Sequence, residues 1–143
     1  MLRQLLLGGG VSVINIAIHS LIMATVVGLA QRASAKARPH PSLFLAAVMI
    51  PIVSVLMATH TVEVMVWASA YALVDAAPEN VQLVYFAFVN YATLGYGDIV
   101  PVDRWKLLGP ITAMNGALMF GWSTAVIFEV LRKTMERAAV VPP

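Results

Sequence analysis

The sequence predicts an all-α membrane protein with three crossing helices and one shorter re-entrant helix, and three observations carry that prediction. Of the 143 residues, 60% are hydrophobic and only 11% charged, with a mean hydropathy of +0.84, outside the usual balance of a soluble domain. Three apolar segments are long enough to cross a hydrocarbon core of about 30 Å, which takes about 20 helical residues. The basic residues stand at the edges of those segments, where they act as topology signals rather than as a nucleic-acid surface. The chain has no cysteine, which excludes disulfides, zinc thiolates and thiol catalysis. No phosphate loop, cofactor fingerprint or nucleophile beside a base is present to support an enzyme.

The first segment, residues 5 to 30, carries no charged side chain. Gly8, Gly9 and Gly10 make its start a poor helix, so the ordered part is expected from Val11 to Ala30. A cleaved leader is disfavoured, because the apolar stretch far exceeds a leader's core and Arg32 stands just before the "ASA" at 33 to 35. Residues 31 to 42, with Arg32, Lys36 and Arg38 and no acid, read as a cytoplasmic loop that closes a first unit, 1–42. Residues 43 to 74 hold one charge, Glu63, and would make a helix of about 48 Å that must tilt, project or break. Pro51 is a candidate kink, and Trp67 and Tyr71 suit an outer interfacial belt.

Asp75, Pro78, Glu79 and Asn80 mark an outer turn. Residues 81–92 are apolar but too short to cross, which predicts a half-helix entering from the outer face. The third span, 107–131, ends in Arg132, Lys133 and Arg137, and 132–143 reads as a short cytoplasmic tail. Two crossings separate the two basic segments and put them on one side, with the amino terminus outside.

Between the half-helix and the last span lies "ATLGYGD". Non-helical backbone at membrane depth persists only where it is buried or lines a wet path. Gly95 and Gly97 flank Tyr96, so alternate residues can take mirror-image dihedrals and aim successive carbonyls the same way. A row of carbonyl oxygens is a cation site without a full charge.

The six residues Thr93, Leu94, Gly95, Tyr96, Gly97 and Asp98 resemble the selectivity filter of potassium channels, usually threonine, valine, glycine, tyrosine, glycine, aspartate. The likeness extends over a pore domain at 43–131: outer helix, pore helix 81–92, filter 93–98, Pro101, Trp105 and inner helix 107–131. The first span lies outside that minimal pattern. The resemblance implies K+ held by the carbonyls of Thr93, Leu94, Gly95 and Tyr96, with Gly97 completing the filter and the Thr93 hydroxyl contributing. It implies a Tyr96 ring packed against Tyr85 and Phe86, and Asp98 at the outer mouth. One loop cannot surround a dehydrated ion, so a homotetramer is implied. K+ is the only metal, membrane lipid the surrounding partner, and no organic cofactor or nucleic acid enters. The setting is a plasma membrane, a prokaryotic inner membrane.

Two positions depart from the pattern. Leu94 replaces valine. Val89 stands where several family members hold a buried carboxylate that braces the aspartate, a role that falls to Asn90 or Tyr85. On the last span Ala113, Ala117, Gly121 and Ala125 recur every four residues, for helix packing or for lining a cavity. Gly116 and Gly121 are candidate bending points, and Asn115 is the candidate cavity-facing polar residue.

His19, His60 and Glu63 are ionisable groups in apolar spans, which points to pH sensing, a proton relay or a metal site. The plainer reading places His60 and Glu63, about 27 Å along a helix from residue 42, near the outer interface, with His19 bonding a neighbour. Besides a potassium channel, three alternatives stand: a weakly selective cation pore, a transporter or metal site built on those three residues, and a non-conducting accessory subunit.

Overall fold

A computed structural model describes residues 1–33, 41–79 and 81–140. The basic residues Lys36 and Arg38, the turn residue Asn80 and the last three residues of the tail lie outside the described part. Four α-helices follow in order: α1 (Leu2–Ala33), α2 (Pro41–Val74), the short α3 (Leu83–Tyr91) and α4 (Leu108–Val140), with a single 3-10 turn at Asp103–Trp105. Three of them are long and apolar enough to cross a membrane, and no strand occurs among the described residues.

Helix α1 starts at Leu2, not at Val11, and runs through all three glycines. In a lipid setting backbone polar groups must pair internally, which outweighs the poor propensity of glycine. Gly8 is buried, and a Cβ there would come within 2.9 Å of the Ile111 side chain. Its bare backbone lets α1 press against α4. Helix α2 continues unbroken past Pro51, whose ring is exposed. Helix α3 is a residue or two shorter at each end than expected, and α4 extends beyond 131 to Val140.

The half-helix α3 packs into the groove between α2 and α4, while α1 lies against the far side of both long helices. Two apolar clusters form. One joins Val11, Val64, Trp67, Tyr71, Phe86, Tyr91, Leu108 and Met119; the other joins Met23, Val26, Phe44, Val48, Ile52, Leu56 and Val130. The first therefore gathers the start of α1, the end of α2 and the start of α4, and the second gathers their opposite ends. Around the first cluster the connections are pinned by backbone. Val102 N donates to Ala76 O at 2.9 Å, and Leu107 N donates to Gln4 Oε1 at 2.8 Å.

Trp67 and Tyr71 are not an interfacial belt: both are fully buried. Each has a polar partner inside, Trp67 Nε1 donating to Asn115 Oδ1 at 3.0 Å and the Tyr71 hydroxyl lying 2.6 Å from Thr112 Oγ1. An aromatic ring with a bonded polar tip is as stable in a core as at an interface.

Candidate functional site

Helix α3 ends where its last carbonyls are taken up. The amides of Ala92, Thr93 and Leu94 donate to the carbonyls of Phe88, Asn90 and Val89 at 2.8, 3.1 and 3.0 Å. The chain then leaves helical geometry with φ of +58° at Thr93, +60° at Gly95 and +77° at Gly97. Every second residue thus occupies the left-handed region, which glycine enters freely and threonine only with strain. Consecutive peptide units on such a path present their carbonyls in one direction. Residues 93 to 98 are all exposed on the single chain, and no atom lies within 4 Å of a Cβ built on Gly95 or Gly97.

Asp98, at the end of this segment, accepts a hydrogen bond of 2.7 Å from the Tyr85 hydroxyl. Of the two residues expected to replace the missing carboxylate at Val89, Tyr85 does so. That bond holds the Tyr85 phenol above its ordinary value, with lost hydration and the Asp98 charge as lesser causes. Asn90 instead lies against Gly109 at the start of α4. Val89 is buried in α3.

The expected packing of Tyr96 on both Tyr85 and Phe86 does not form within one chain. Phe86 is fully buried, 4.9 Å from the Tyr71 ring, on the face of α3 turned to α2, and Tyr96 is 68% exposed. Neighbouring positions on a helix point about 100° apart, so only Tyr85 of the pair meets the loop.

Asn115 does not face a cavity. It is buried, its Oδ1 accepting from Asn15 Nδ2 at 3.1 Å and from Trp67 Nε1 at 3.0 Å. Gly116 is a close-packing position rather than an obvious bend: a Cβ there would overlap the Tyr91 carbonyl and sit 3.2 Å from its ring. The end of α3 thus rests directly on the α4 backbone. Gly121 meets nothing within 4 Å, and with Ala117 and Ala125 it leaves one face of α4 open in the single chain.

His19, His60 and Glu63 do not sit apart near an interface; they converge. His19 Nδ1 is 2.9 Å from Glu63 Oε1, and His60 Nδ1 is 3.0 Å from Glu63 Oε2. The Tyr91 hydroxyl donates to the same Oε2 and lies 3.1 Å from His60 Nδ1. On their far edges both imidazoles meet one hydroxyl, Ser123 Oγ, at 3.0 Å from His60 Nε2 and 3.4 Å from His19 Nε2. Glu63 and His19 have no exposed surface, and His60 has 9%. This polar layer lies between the two apolar clusters, near the middle of the spans Leu2–Ala30, Leu43–Val74 and Asp103–Glu136. Asn15 extends it, donating to the Glu63 carbonyl at 3.3 Å.

By type and spacing the same three residues are also a metal donor set, their ligand atoms lying within 4.8 Å of one another.

Sequence reasoning missed Asn15, Tyr91 and Ser123 as members of this layer. Asn15, an amide inside an otherwise apolar span, was the available signal; Ser123 and Tyr91 gave none, since single hydroxyls are common in spanning helices.

A half-helix, a loop of alternating positive φ and flanking long helices thus stand together in one chain. The family model described as "Ion channel" matches residues 59–133, more than half of the chain, and the chain belongs to that family. The match takes in the end of α2, α3, the loop and most of α4. No curated protein and no solved structure matches the chain.

Proposed function

We propose that four copies of this chain assemble around one axis and conduct K+ passively through the carbonyls of Thr93, Leu94, Gly95 and Tyr96, with Gly97 completing the filter. The observation that carries this reading is the alternation of positive φ at Thr93, Gly95 and Gly97 directly after a half-helix. Aligned carbonyls replace the ion's hydration shell, and the negative end of the α3 dipole, about half a charge, favours a cation nearby. The exposure of residues 93 to 98 on the single chain supports the homotetramer, because only neighbouring copies can supply the remaining oxygens and cover the Tyr96 ring. The basic ends of α1 and α4 favour the cytoplasmic side of a plasma membrane, with the amino terminus and the filter outside.

The test is flux in liposomes reconstituted with the purified chain, with K+ on one side and Na+ on the other. A reversal potential near that of K+, abolished by Gly97→Asp, is expected. A potential near zero would identify a weakly selective cation pore, for which Leu94 is the motivating departure. No flux in any gradient would leave an accessory subunit.

A further inference from the structure

The matched region begins at residue 59, so α1, with Asn15 and His19, lies outside it. Yet α1 supplies part of the buried polar layer, and that layer ends on the residue that launches the filter. Tyr91 is the last residue of α3, two before Thr93, and both of its polar ends are fixed. Its hydroxyl is bound by Glu63 and its carbonyl abuts Gly116. Glu63 is in turn gripped from α1 by His19, from its own helix by His60, and through both rings by Ser123 of α4. Glu63 is the one charged side chain facing this point; His19, His60, Tyr91, Ser123, Asn15 and Asn115 complete its surroundings. A carboxylate that serves only to join helices needs no contact with the pore helix, and this one accepts a hydrogen bond from it.

We propose that α1 is a working part of the ion pathway and that Glu63 is a positioning residue. It transmits the seat of α1 to Tyr91 and sets the geometry of residues 93 to 97. The inference rests on the filter reading above. It predicts that His19, which touches neither ion nor filter, controls selectivity through Glu63.

The experiment measures the K+/Na+ permeability ratio and the persistence of flux for full-length variants in liposomes, each checked first for wild-type assembly by size-exclusion chromatography. Tyr91→Phe removes one hydroxyl and keeps the ring. His19→Leu removes the α1 grip, whereas His19→Asn keeps a donor near the Nδ1 position. Tyr91→Phe and His19→Leu are each expected to lower the ratio about tenfold, the size of one lost charge-assisted hydrogen bond. His19→Asn is expected to restore most of it. The double variant His19→Leu/Tyr91→Phe should be no worse than the worse single one, since both act through Glu63. Should His19→Leu fail to assemble, Glu63→Gln with Tyr91→Phe gives the same comparison. Wild-type selectivity in Tyr91→Phe and His19→Leu, or effects that multiply, would overturn the proposal while leaving the filter reading intact. A wild-type protein without K+ selectivity would sink the filter reading itself.

Discussion

Tyr85 donates a hydrogen bond to Asp98 at the end of the loop, with one consequence for pH. A phenol raised above its ordinary value of 10.0 by its bond to Asp98 contributes stability below that value and loses it as pH climbs through the raised one. Flux persistence in the wild type is expected to stay level up to about pH 10 and to decline beyond it. Tyr85→Phe should be less persistent throughout and show no alkaline step; an unchanged step would assign the effect elsewhere. Two glycines of α4 separate just as sharply. Gly116→Ala places a methyl in the Tyr91 carbonyl and should abolish assembly or flux. Gly121→Ala meets open space within the chain and should leave thermal melting in detergent unchanged or raise it by about 1 kcal/mol through helix propensity. The His19, His60 and Glu63 side chains already bond one another, Tyr91 and Ser123, so incubation with a strong chelator is expected to leave the melting temperature unmoved. A drop restored by zinc would favour the metal reading.

At the scale of elements, what could be read from the chain followed periodicity and length, and what could not depended on partners far along the sequence. The three spans, the half-helix and the alternating dihedrals of residues 93 to 97 were legible because each depends on local composition and on the two glycines around Tyr96. The seating of Trp67 and Tyr71 was not, since an aromatic with a polar tip suits a core and an interface alike, and Asn115 and Thr112 lie more than 40 residues away. The same holds for His19, whose partner Glu63 is 44 residues on. The start of α1 was misjudged because helix propensity was weighed without the demand of lipid that every amide be paired. Asn115 shows what such a distant partner is worth. Asn115→Leu strands the donors of Asn15 and Trp67 in a buried site, and melting in detergent should report a loss of about 2 kcal/mol or more. Restoring no acceptor but deleting both donors, with Asn15→Leu and Trp67→Phe added, should recover part of it.

For the whole molecule, the exposed loop and the open Ala117, Gly121, Ala125 face of α4 are surfaces that a lone chain leaves without neighbours. The proposed tetramer predicts that cross-linking of the purified protein stops at four chain masses and that Tyr96→Ala weakens that band; a dimer as the end point would rule out the ring of oxygens. The ion-pair cluster of Arg132, Lys133, Glu129 and Glu136 near the end of α4 is solvent-facing, so salt should screen it while assembly, to which such pairs contribute little, hardly responds.

The polar layer also constrains how the protein is made. Helix α1 emerges from the ribosome first, carrying Asn15 and His19, but the acceptor at Asn115 lies 100 residues later and the hydroxyl at Ser123 lies 104. Glu63 of α2 comes sooner, offering its carbonyl to Asn15 and its carboxylate to His19. Pairing of α1 with α2 is therefore expected to precede the arrival of α4, which completes the layer.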